Sequence, residues 1–216
     1  MAEQEFHYLG TIITNAMEGS THEFFVNSSP ICPNMTNRQF RTMVLKCRDN
    51  AVELVQERLK DLKRWSISDR DRVETWFGKS DDATRAKLTN GLSAIARVLQ
   101  SLTEDNFVRW DSTRSMHIGC VPNASNAVGA VAEVCAPDTA THTIAIREAF
   151  CETREFSWNK DSMVSTLIHE ASHFEDTMAT KDWQYFMVKC LPFGKVNPKK
   201  AIENADSVAG YVIYSM

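Results

Sequence analysis

The sequence predicts an α+β fold, mainly helical, with a small β-sheet in the middle of the chain. Three observations carry that prediction. Apolar residues recur at helical spacing from about residue 36 to residue 102. Between residues 116 and 151 the period shifts toward two, the alternation of a strand. From Asp161 onward the helical period returns. No internal repeat, low-complexity tract or Gly/Ser linker interrupts this order, so it reads as a single domain. At 216 residues the chain is long enough to bury roughly 70% of its unfolded surface.

The elements follow in order. Residues 1–35 read as an N-terminal extension packed on a domain that runs from 36 to 216. Within it, Phe24, Phe25 and Val26 suggest a short strand, and Ser28, Ser29, Pro30 and Pro33 a loop. Phe40, Met43, Val44, Cys47, Ala51, Leu54, Val55, Leu59 and Leu62 recur at helical spacing in one long amphipathic helix over about 36–64, capped by Thr36 or Asn37. A second helix spans Asp69 to Phe77, and Gly78 stops it. A third spans Ala83 to Leu102; Gly91 inside it costs about 1 kcal/mol relative to alanine. Strands are expected at 117–121, 130–135 and 141–146, with Thr143 and Ala145 facing away from Ile144 and Ile146. Val164, Leu167, Ile168 and Ala171 then share a helix face. Trp183 to Leu191 reads as a short helix ended before Pro192. Asn197 reads as the cap of a continuous last helix with Pro198 at its first position.

Composition narrows the function. The chain is 43% hydrophobic and 24% charged, as in ordinary globular proteins, which excludes wholesale disorder. A net charge of −4 lacks the basic excess of a nucleic-acid binder. The cluster Arg58, Lys60, Lys63 and Arg64 reads as a solvated helix face. No run of 18 apolar residues exists, so no membrane span is expected. Glu3 and Glu5 stand where a secretory leader would carry basic residues, so no signal peptide is expected here. The six cysteines include no CxxC pair, which argues against a structural zinc knuckle. Their even count fits disulfides in an oxidising compartment or buried thiols in a reducing one.

The chemistry concentrates in His169-Glu170-Ala171-Ser172-His173, an HExxH sequence on a predicted helix. Positions four apart return to one helix face, so both imidazoles reach one metal ion. Glu170 points beside that ion and can take a proton from water held there. Hydrolysis needs a third protein ligand and an open position. Ala179 stands where one class of such enzymes has a third histidine. Glu203 lies at the far limit of the spacing that would make a glutamate the ligand. Glu175 and Asp176 are expected to continue the helix, away from the metal. Asp182 follows a break at Met178-Ala179-Thr180 that can swing the chain around, and spacing favours it. Two imidazoles and one carboxylate leave a zinc site with net charge of about +1, which brings the pKa of a bound water toward about 7.

With these residues set out, the chain resembles the aspzincin metalloendopeptidases, the family of deuterolysin and the fungal peptidyl-lysine metalloendopeptidases. The resemblance rests on His169 to Phe174 followed by Thr180-Lys181-Asp182-Trp183-Gln184-Tyr185, with Trp76-Phe77-Gly78, Thr143 to Cys151 and Asn204-Ala205-Asp206 in support. It covers roughly residues 40 to 214 and implies a zincin-like domain with HExxH on the active-site helix. It implies one zinc per chain on His169, His173 and Asp182, with Glu170 as general base. Tyr185 would donate to the oxyanion, and Asp206 would line the pocket for the residue after the cut bond. Ala179 and Phe186 stand where the family pattern has glycine. Ala209 stands where lysine-specific members carry a further acid, so the implied preference for basic residues is partial. The resemblance also suggests Cys47–Cys120 and Cys135–Cys151 disulfides, and Cys32–Cys190 then remains.

The leading functional expectation is an exported zinc endopeptidase acting on protein or peptide, with no nucleic-acid partner. A catalytically dead relative that binds through the same cleft is the rival from another class; Glu170 and Tyr185 argue against it. A third reading is a toxin-type effector delivered by a secretion system against proteins or cell-wall peptides, with a cognate inhibitor or immunity protein as partner. The missing leader favours that route over ordinary export.

Overall fold

A computed structural model of the chain describes residues 6–13, 21–27, 29–112, 120 and 129–215, the first two segments as backbone only. Strands β1 (Phe6–Ile13) and β2 (Thr21–Asn27) pair antiparallel in a sheet of their own. The expected Phe24–Val26 strand is thus the middle of β2, whereas β1 has no counterpart in the sequence reading.

Helix α1 (Asn37–Arg64) matches its expected bounds because Thr36 closes a capping box with Gln39. Helix α2 (Ile67–Phe77) starts two residues earlier than the reading, on its own Ser66–Asp69 box, and ends at Gly78 with φ 72°. Helix α3 (Asp82–Ser101) lies along α1. A second sheet of three strands has the order β3-β5-β4, from β3 (Phe107–Arg109), β4 (Ala132–Val134) and β5 (Ile144–Ile146). β5 pairs parallel with β3 and antiparallel with β4. As the central strand it is buried on both faces, Thr143 and Ala145 included, rather than having one face turned outward. The strand expected at 117–121 falls outside the described residues apart from Cys120.

Helix α4 (Glu148–Glu152) is followed by α5 (Met163–His173), which Ser162 caps through Ser165. Helix α5 touches α1, α3, α8 and β4, so the HExxH segment runs through the middle of the fold. Leu167, Ile168, Ala171 and Ser172 on it are fully buried.

Two helical expectations are corrected. The helix expected at 183–191 is α6 (Met187–Val196), with Pro192 inside it. The carbonyl that Pro192 leaves without an N–H belongs to Val188, which sits on the exposed side of the helix. The last helix is two pieces, α7 (Pro198–Ala201) and α8 (Ala205–Ile213). Between them Lys181 bridges to Asn204, with Lys181 N–H donating to Glu203 O at 2.7 Å and Ala205 N–H to Lys181 O at 3.1 Å. That bridge uses backbone groups a continuous helix would have kept.

The disulfide expectation is also corrected. The bonds are Cys32–Cys151 and Cys120–Cys135, while Cys47 and Cys190 are free and buried. The segment before α1 runs against α4, where Asn34 donates to Cys151 O at 3.2 Å, and this brings Cys32 to Cys151. Burial pushes both free thiols up to about 12, which leaves them as packing groups. No helix among the described residues is long and apolar enough to cross a membrane.

Candidate metal centre

The site has two arms, a helix and a returning loop. Helix α5 supplies His169, Glu170 and His173. It ends at His173, because Phe174 leaves helical geometry at ψ 140° and buries its ring edge-on against His142. The expectation that Glu175 and Asp176 continue the helix is therefore wrong: Glu175 N–H donates to Ala136 O, and Asp176 pairs with His142 at 3.1 Å. Thr177 Oγ1 donates to the carbonyls of Ala171 and Phe174, closing the helix end. The chain then turns at Ala179, whose φ is 50°. Thr180 N–H returns to Ser172 O at 3.1 Å, and the Thr180 and Ser172 hydroxyls meet at 2.6 Å. The Lys181–Asn204 bridge holds the next residue, Asp182, over the two imidazoles.

Gly91 of α3 is part of this return. A Cβ there would stand 2.4 Å from the Cγ of Met178, so any other residue would have to push that side chain aside. This explains a residue that helix propensity alone disfavours.

One group of donors able to hold a metal ion exists among the described residues, and it is His169, His173 and Asp182. His169 Nε2 lies 3.2 Å from Asp182 Oδ1, His173 Nε2 lies 3.4 Å from the same oxygen, and the two Nε2 atoms are 3.1 Å apart. Zinc bonds of about 2.0–2.1 Å in tetrahedral geometry set donors about 3.3 Å apart, so the triangle fits that ion. The far side of each ring settles its tautomer. His173 Nδ1 donates to Thr180 O at 3.0 Å, and His169 Nδ1 bonds Asp206 Oδ1 at 2.6 Å. Both Nε2 atoms then converge on one point beside a carboxylate, a place that favours a cation, whether a proton or a metal ion. Glu203, the alternative ligand, pairs with Lys87 at 2.8 Å instead.

The electrostatics agree with a cation-binding centre. Burial works against charge on His169, but hydrogen bonds to Asp182 and Asp206 outweigh it and hold the ring well above the usual imidazole value. Burial also opposes charge on Asp182, and its bonds to both histidines overcome that and keep its carboxyl low. Burial raises Glu170, against the pull of the two imidazoles. Its carboxylate accepts no hydrogen bond among the described residues, although the residue is only 5% exposed. Burial and the Asp182 charge push the Tyr185 phenol up to about 12, so it stays a donor.

Asn204, the N-cap of α8, and Asp206 in its first turn hold the loop from behind. Asn204 is fully buried; its Oδ1 accepts Trp183 N–H at 2.9 Å and Gln184 N–H at 2.8 Å. Its Nδ2 donates to Gln184 O at 3.0 Å and to Ser207 Oγ at 3.0 Å. Asp206 grips both arms, since its second oxygen accepts Phe186 N–H at 2.6 Å. The sequence reading aimed Asp206 at a substrate side chain, whereas here both of its oxygens bind groups of the protein. It also left Asn204 without a role, although Asn204 was already noted in the Asn-Ala-Asp triplet. The two positions that depart from glycine, Ala179 and Phe186, keep the positive φ that glycine would have, at 50° and 69°. Each costs about 1–3 kcal/mol in a residue with a Cβ.

Comparison with known proteins bears on this geometry. The aspzincin family model, described as Lysine-specific metallo-endopeptidase, matches residues 63–213. The chain belongs to the aspzincin metallopeptidases. The chain is 40% identical over 47 residues to a protein named Peptidyl-Lys metalloendopeptidase from Grifola frondosa. That match spans 22% of this chain and 14% of the length of that relative. A solved zinc peptidase from Grifola frondosa shares the fold at a TM-score of 0.62 and 22% identity, over 81% of this chain and 94% of that one. The α+β aspzincin fold is thus common to both chains.

Proposed function

We propose that this aspzincin is a zinc-dependent endopeptidase, with His169, His173 and Asp182 as ligands of one ion. The observation that carries the reading is the convergence of two lone-pair Nε2 atoms and one carboxylate oxygen, with the outer face of each ring tied down. When bound there, zinc supplies Lewis acidity, polarising a carbonyl and acidifying water. Glu170 is the general base: its buried carboxylate adjoins both histidines and accepts no hydrogen bond among the described residues, so it can take a proton and later return it to the leaving amine. Tyr185 aims a protonated phenol beside Asp182 and donates to the oxyanion, a contribution of about 3–4 kcal/mol. Asp206 fixes the orientation of His169 and raises its basicity as a ligand.

Protein or peptide is the substrate, and the two disulfides fit an oxidising, extracellular setting. The test is cleavage of casein by the zinc-loaded protein, its loss on chelation and its return with zinc. Casein cleavage that survives the chelator contradicts the reading. Purified peptidoglycan offered in parallel, if it alone is cut, moves the substrate to cell-wall peptides.

A further inference from the structure

Phe186 follows Tyr185 and opens α6 with φ 69° and ψ 122°. Glycine enters that region freely, while a residue with a Cβ is strained there. Core packing does not compensate, because Phe186 is 54% exposed. The contact its ring does make is with the Lys189 ammonium, 5.0 Å from the ring centroid. Yet the backbone is firmly held, through the same carboxylate that orients His169. The backbone that carries the ring is thus tied to the donor triangle, and the ring itself is open to solvent. Trp183, Tyr185 and Val188 of the same stretch of chain are exposed as well. A strained backbone that presents an exposed ring beside a reactive centre has its compensation in what arrives there.

We infer that Phe186 is a specificity-determining residue, favouring a large apolar side chain next to the cut bond. This rests on the endopeptidase reading. A substrate aromatic or long aliphatic group gains contact area on the open face of the ring. Lysine or arginine at the same place meets the Lys189 ammonium, and Asp206 has both oxygens engaged within the protein. The small Ala209 on α8 adds no countercharge. The preference is therefore apolar, unlike the lysine specificity in the family's description.

The experiment sequences the peptides that zinc-loaded wild type, Phe186→Gly and Phe186→Leu release from a denatured protein. It adds kcat and KM for matched peptides with phenylalanine, lysine or alanine beside the cut bond. Wild type should enrich large apolar residues and deplete lysine at one flanking position. Phe186→Gly should raise the thermal midpoint by about 3 °C or more as strain is released. It should keep its zinc, and lose about tenfold in kcat/KM on the phenylalanine peptide, mainly through KM. Phe186→Leu should retain most of the preference. A Phe186→Gly profile identical to wild type, or lysine enriched by wild type, overturns the inference while leaving the endopeptidase reading intact. A wild type that cleaves nothing sinks that reading and this inference with it.

Discussion

The two arms of the metal centre are built on different principles. The helix arm, α5, is rigid because neighbours surround it: α1, α3, α8 and β4 bury its apolar face. The loop arm, from Phe174 to Phe186, has little apolar burial beyond Phe174 and the partly buried Met178. Hydrogen bonds from Asn204 and Asp206 hold it instead, against two strained residues, Ala179 and Phe186. The comparison teaches where each property resides. Packing fixes the spacing of two ligands and the base, while a polar clamp sets the third ligand and the surface that substrate meets.

If that division is right, the largest effect belongs to the helix arm. Glu170→Gln keeps the shape of the side chain and removes the base. It should lower kcat by about 10²–10⁴ with zinc content unchanged, measured by metal analysis beside steady-state kinetics. Full turnover in that variant would take Glu170 out of the chemistry.

Next comes the clamp between the arms. Asp206→Asn preserves size but weakens the bond that orients His169. Zinc affinity should fall about 10–100-fold, read by competition with a chromophoric chelator. Unchanged affinity would mean that helix packing alone aligns His169, and the loop arm would then matter only for Asp182.

The smallest of these effects falls on Asn204→Ala. It leaves the Trp183 and Gln184 amides without their shared acceptor in a fully buried place, at about 1–3 kcal/mol. Chemical denaturation should show the loss, and limited proteolysis should cut first between Thr180 and Phe186. A loss of stability spread evenly, with no early cut in the loop, would argue that the two arms are one cooperative unit.

The same division explains what could be read from the sequence. His169, Glu170 and His173 were legible because four residues make about one helical turn, and packing enforces that period. Asp182 was legible because the Met178-Ala179-Thr180 break had to redirect the chain. Asp206 entered the reading through the family resemblance alone, which set it toward a substrate side chain. Its bonds to His169 and Phe186 form where α8 starts after Asn204, at the bridge to Lys181. That bridge pairs positions 23 apart in sequence, and no periodicity records it. The strand β3 is three residues long, too short to show alternation. The Cys32–Cys151 pair follows from the segment that lies against α4, information that cysteine spacing does not contain.

The central claim is that loop and helix together make one zinc site. The most direct test is the metal content of purified wild type, Glu170→Ala and Asp182→Ala, each assayed on casein. The account predicts one zinc per chain in wild type and in Glu170→Ala, with cleavage in wild type alone, and zinc largely lost from Asp182→Ala. Full zinc and full cleavage in Asp182→Ala would contradict it.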